Sequence, residues 1–211
     1  MTRDRPDPPS RSDRRLPWTR ARFAVLDFET TGLDLARDHV ISFGVVPISE
    51  GRIEMERAVY RLVRPDAPPS PTSVTVHGLR AQDLAEAPQA EETRRSLGEA
   101  LAGRFLVTWY APVENGFLAK LLGGRSRTWS RRNIDVRGLA LADGDRKRDE
   151  RLSLAAAAAR YGVPAADPHH ALDDALVTAQ LFLVLATHLG ASGKGSVRGM
   201  LRLAGSAVSG T

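Results

Sequence analysis

The 211-residue chain contains no cysteine. Disulfides and thiolate-held metals are thereby excluded, and a reducing compartment such as the cytoplasm is expected. No apolar run approaches the ~18 residues that a membrane helix needs. The N-terminus is rich in Arg, Asp and Pro and has no apolar stretch of the secretory kind. No internal repeat is visible. What is present is an ordinary globular composition: a hydrophobic fraction of 42% is enough to bury one core.

The net charge is +5, but it is unevenly placed: residues 1–22 hold seven Arg against three Asp. The remainder is nearly neutral. Such an arm is either a solvated tail or a weak handle for phosphate backbones. The expected organisation is a disordered basic tail over 1–20, a domain over 21–190 and a flexible Gly- and Ser-rich end over 191–211, with room for one short helix around Val197–Leu203.

Hydrophobic patterning predicts strands at about 22–28 and 39–48, an alternating strand over 52–63, and buried strands at 105–109 and 133–136. Residues 65–71, with four prolines, read as a loop that His77-Gly78-Leu79 ends, and Asp143–Arg151 reads as a charged loop. Helices are expected at about 88–102, 112–122, 152–161 and 171–189. Three antiparallel strands followed by strands alternating with helices predict an α/β fold. The pattern resembles that of a ribonuclease-H-like mixed five-stranded sheet flanked by helices.

Phe23–Gly32 organises the chain. The strand-like run Phe-Ala-Val-Leu-Asp-Phe contains one acid, Asp27, and burying a lone carboxylate costs several kcal/mol or more. Glu29 follows two places on, so both acids point to one face. A divalent cation would relieve their repulsion, which predicts a hard-cation site at the end of a central strand. Three other stretches carry candidate chemistry. Glu114 stands in the first turn of a helix after a buried strand, where an anion is favoured by about 0.3–1 kcal/mol. His169-His170-Ala-Leu-Asp173-Asp174 opens the last long helix and reads either as a capping cluster, with Pro168 starting the helix, or as a site with a His general base. The basic run Arg125–Arg132, with Trp129, reads either as a solvated loop or as a nucleic-acid contact.

Taken together, Asp27-x-Glu29-Thr-Thr-Gly, a mid-chain acid after a buried strand and His-x-x-x-x-Asp on the last helix resemble the DEDD superfamily of 3′–5′ exonucleases, in its His-type, DnaQ-like branch. Secondary matches run from about Arg22 to Leu189. They include Val76-His77-Gly78-Leu79 with Asp83–Pro88, Ile134-Asp135-Val136, and Leu152–Pro164.

The resemblance implies a metal-dependent 3′–5′ exonuclease that hydrolyses phosphodiesters at single-stranded 3′ ends and releases nucleoside 5′-monophosphates, with DNA favoured over RNA although RNA-specific relatives share the same acids. It implies two Mg²⁺ or Mn²⁺ ions held by Asp27, Glu29, Asp174 and Glu114, with His169 as general base. Thr30, Thr31, Gly32, Leu33 and His77 would meet the terminal nucleotide. The implied partner is a nucleic-acid 3′ end; a proofreading member would add a DNA polymerase, whereas a free-standing DNA- or RNA-trimming enzyme would not. No membrane partner is expected. Two features depart from the family pattern. Its usual His-Asn and Asp are replaced here by Trp109, Tyr110 and Glu114. His170 also stands beside His169 as an alternative base. The alternatives to the exonuclease are a non-catalytic nucleic-acid-binding module of the same fold and a hydrolase of free nucleotides.

Overall fold

The buried run becomes β1 (Phe23–Thr30), the middle strand of a mixed sheet. The computed structural model describes residues 5–143, 152–164 and 169–208. β2 (Val40–Ser49) pairs antiparallel with β1, bringing Gly44 opposite Asp27, and a bulge follows Glu29. The alternating segment 52–63 is split into β3 (Arg52–Ile53) and β4 (Val59–Leu62), which pair with different parts of β2. A short 3₁₀ turn, Met55–Arg57, breaks it. The sheet therefore has six strands, the expected third one being interrupted. On the other side of β1, β5 (Phe105–Thr108) and β6 (Asn133–Asp135) run parallel to it.

The helices are α1 (Pro71–His77), α2 (Ala81–Leu84), α3 (Ala90–Leu101), α4 (Ala111–Leu122), α5 (Ser126–Ser130), α6 (Val136–Asp143), α7 (Leu154–Arg160), α8 (Ala171–Ala191) and α9 (Val197–Val208). Alternation along β1 divides the core in two. Ala24, Leu26 and Phe28 pack with Leu97 and Leu101 of α3 and Phe117 and Leu118 of α4. Phe23 and Val25 face α8, where the Phe182 ring meets Phe23 edge-on at 4.9 Å. Burying a side chain of that size contributes about 1.5–3 kcal/mol. Asp27 and Glu29 continue this second face. α8 is long and apolar enough to span a membrane by composition, yet Ala175, Ala179, Phe182 and Leu185 are buried against the sheet, as in a core helix.

Several expectations change. The segment 5–20 is an ordered strap rather than a tail: Trp18 N–H donates to the Gly195 carbonyl at 2.9 Å, and Leu16 and Trp18 pack on the core. The Gly- and Ser-rich end folds into α9, which buries Val197, Met200 and Ala204. Its packing is close because α6 presents a glycine to it. At Gly138 of α6 a Cβ would sit only 2.6 Å from the Ala204 carbonyl oxygen. α1 lies where a loop was expected, with Ser70 as its N-cap, Pro71 at its first position and Gly78 (φ +74°) closing it. Most of the expected charged loop 143–151 lies outside the described residues, as does Pro168.

Gly44 sets how α8 meets the sheet. A Cβ there would collide with the backbone of Ala171 and Leu172. Gly44→Ala is therefore expected to lower stability by about 1–3 kcal/mol in urea unfolding, as overpacking does.

Candidate active site

β1, α8 and α4 converge where β1 ends. Asp27 and Glu29 leave β1 on the same face. Asp174 comes from the first turn of α8, whose approach Gly44 permits. Carboxylate oxygens of the three lie within 4.8 Å of one another. Burial raises the Asp27 pKa well above its ordinary value, and the charges of Glu114, Asp174 and Glu29 raise it further. Burial and Asp174 push Glu29 up to about 7. Asp174 is also raised, chiefly by burial, although the His169 N–H and the His169 charge oppose this. Three oxygen donors that mutually resist ionisation suit a hard divalent cation.

Glu114 lies outside that trio but acts on Asp27 electrostatically. It is 6% exposed, its Oε2 has no hydrogen-bond partner, and burial and Asp135 raise its pKa to about 8. A buried carboxylate oxygen without a donor is costly, and a cation between α4 and β1 would satisfy it. The donor set thus fits divalent metal.

The two histidines diverge. His169 adopts a left-handed backbone (φ +67°), which histidine tolerates better than most residues. That turn aims its N–H at Asp174 Oδ2, at 3.0 Å. Its imidazole also acts on His77, whose pKa falls through burial and the His169 charge. His170 turns the other way: its ring lies 4.4 Å from Tyr60 and its Nδ1 is 3.1 Å from Asp173 Oδ2.

Of the residues expected to meet substrate, Thr30 ends β1 and its carbonyl lies beside His77. The Thr31 hydroxyl is engaged within the turn, donating to Asp38 Oδ1 at 2.9 Å and accepting from His39 N–H. Gly32 leaves room for the Asp38 carboxylate. Leu33 is 73% exposed. His77 Nδ1 accepts from Leu79 N–H at 3.1 Å. Trp109 packs partly into the core, and Tyr110 carries the Arg137 guanidinium 5.7 Å from its ring. The basic run is not a loop: α5 buries Trp129, and Arg132 stacks on it at 4.5 Å.

Sequence reasoning gave no site role to Asp135. It is 3% exposed and accepts from Ala111 N–H (3.0 Å) and Gly138 N–H (2.8 Å), so it joins the first turns of α4 and α6 beside Glu114. Burial pushes its pKa up to about 6. The spacing Asp135-x-x-Gly138, at a strand-to-helix junction, is a capping pattern that could have flagged it.

Comparison with known proteins places this geometry. The exonuclease family model RNase_T matches residues 24–182. The chain belongs to that exonuclease family, in its DnaQ-like branch. It is 35% identical over 167 residues to the PolC-type DNA polymerase III of Thermotoga petrophila, covering 77% of this chain and 12% of that protein. It is 33% identical over 182 residues to a DNA polymerase III subunit epsilon-like protein of Rhodobacter capsulatus, covering 84% and 25%. The exonuclease chain thus spans a quarter or less of the length of these relatives. Solved structures share its fold. Exonuclease X with 5′-overhanging duplex DNA matches with a TM-score of 0.63 and 21% identity, over 86% of this chain and 99% of that one. Escherichia coli exonuclease I with a dT13 oligonucleotide matches with a TM-score of 0.68 and 14% identity, over 82% and 43%.

A pH effect follows. Glu29 and Glu114 ionise near 4.5 when unfolded but near 7 and 8 in the metal-free fold. The folded state holds those protons more tightly, so metal-free stability is greatest below pH 4.5 for these groups and falls as pH rises through 7 and 8. Thermal melts with EDTA should show this loss, and Mn²⁺ should raise the melting temperature more at pH 8 than at pH 5.

Proposed function

We propose that this exonuclease removes nucleotides from single-stranded 3′ ends in the 3′–5′ direction, releasing nucleoside 5′-monophosphates, with DNA preferred to RNA. The observation that carries the reading is the meeting of Asp27, Glu29 and Asp174 within 4.8 Å. Relatives named as polymerase III components, and exonucleases solved with DNA, support the choice of substrate. Polymerase-associated proofreading and a cytoplasmic location belong to the same proposal.

Two bound Mg²⁺ or Mn²⁺ ions would supply Lewis-acid polarisation of the scissile phosphate and neutralise its charge. Asp27, Glu29 and Asp174 would hold one, and Asp27 with Glu114 the other. The cluster must lose its protons to do so, which ties activity to neutral or higher pH. His169 takes the proton of the attacking water on its imidazole. Its left-handed backbone and its backbone N–H bond to Asp174 hold the residue beside the cluster, where its charge bears on the Asp174 carboxylate. His170 is left to orient β4 through Tyr60. Leu33 offers an exposed apolar side chain to the terminal base. The turn that carries Leu33 is held by Lys120, whose Nζ donates to the Asp38 carbonyl at 2.6 Å.

Glu114 decides between an enzyme and a binding module of the same fold. Its extra methylene reaches further than the family's Asp while its charge still bears on Asp27. With a 3′-end substrate and Mn²⁺, Asp27→Ala and Asp174→Ala should abolish product formation, and His169→Ala should cost about 10²–10⁴-fold. His170→Ala should cost much less. Wild-type protein that binds the oligonucleotide but releases no more product than Asp27→Ala would instead mean the binding module.

A further inference from the structure

Two arginine-rich segments far apart in sequence meet on the side of the sheet where β5 and β6 begin. The N-terminal strap runs across α5. Arg14 Nη2 donates to the Arg131 carbonyl at 2.9 Å, and Arg132 Nη1 reaches the Asp7 carbonyl at 3.5 Å. Between strap and helix opens a cleft of about 180 Å³ whose walls include Pro8, Pro9, Arg11, Arg14, Arg131 and Arg132, and no carboxylate.

Among the described residues, no carboxylate pairs with any of these four arginines. The strap's own acids are otherwise placed: the Asp13 carboxylate accepts from Ser10 N–H, and Asp7 meets Arg132 through its carbonyl. Residues 5–15 and 125–132 together hold eight arginines against two aspartates, an excess greater than the net charge of the whole chain. Arg132 is 6% exposed and rests on Trp129, so a cation is buried here with no anion beside it. An unpaired buried charge is costly, and a phosphate would offset it with bidentate hydrogen bonds.

β1 and β5 are parallel, with Phe23 beside Phe105, and Phe105 lines the cleft. At about 3.3 Å per residue, Phe23 to Glu29 separates the cleft from the carboxylates by roughly 20 Å. We propose that the arginine cleft is a second nucleic-acid site, which grips the phosphodiester backbone of a substrate strand upstream of the 3′ end being cut. Long strands reach both sites, whereas short oligonucleotides reach only the carboxylates.

The inference rests on the nucleic-acid reading of the active site, and binding measured in EDTA separates the two. The probe is fluorescent single-stranded DNA of about 30 nucleotides, longer than common single-strand site sizes, read by anisotropy. The Arg11→Ala/Arg14→Ala/Arg131→Ala variant should bind it about tenfold more weakly than wild type. Its log–log salt dependence should be shallower by about two, since each lost phosphate contact removes about 0.7. Its Mn²⁺-dependent hydrolysis of a pentanucleotide should match wild type. The triple Lys variant keeps the charge and should retain most of the affinity. Unchanged affinity and salt slope in the Ala variant, or an equal loss in the Lys variant, would overturn the proposal. Absence of hydrolysis by wild type would count against the catalytic reading alone.

Discussion

The contact between the first turn of α8 and β2 is the constraint on which the rest depends. It exists because Gly44 has no side chain where Ala171 and Leu172 cross it. Gly44 pairs with Asp27, so the same approach that closes the core also brings Asp174 to the acids of β1. Packing and chemistry are therefore coupled through one backbone crossing. The apolar length of α8, anchored by Phe182 on Phe23, supplies the burial that holds the crossing in place.

That crossing gathers carboxylates that destabilise one another. Burial raises Asp27, Glu29, Asp174 and Glu114 alike, and repulsion from neighbouring carboxylates, Asp173 and Asp135 among them, adds to it. Around them the framework is firmly bonded. Asp135 ties the starts of α4 and α6, and buried Asn133 donates through Nδ2 to Asn115 Oδ1 at 3.0 Å, joining β6 to α4. A rigid frame around an under-neutralised acidic cluster is the arrangement expected of a site built for a cation.

Much of this was legible in the sequence because it rests on short-range periodicity. Asp27 and Glu29 share a face because strands repeat every two residues. The near-helical spacing of Leu172, Leu176, Ala179, Leu183 and Ala186 marked the last long helix. What was hidden depends on contacts between distant segments. Gly44 looked like one residue of an apolar strand. Asp135 looked like a strand end until the α4 N-terminus came to rest on it. The two ends were read from composition, which describes the unfolded chain: Leu16 and Trp18 anchor one, and Val197, Met200 and Ala204 anchor the other, with α9 packed closely on α6 at Gly138. The run 125–132 likewise concealed Trp129 as a core residue.

The central claim is that acids from β1 and α8 jointly bind divalent metal. Anomalous diffraction from a crystal soaked in Mn²⁺ tests it directly. The account predicts a peak at about 2.0–2.3 Å from oxygens of Asp27, Glu29 and Asp174, near octahedral oxygen-ligand distances. Well-ordered, unliganded carboxylates at saturating Mn²⁺, with no peak between them, would contradict it.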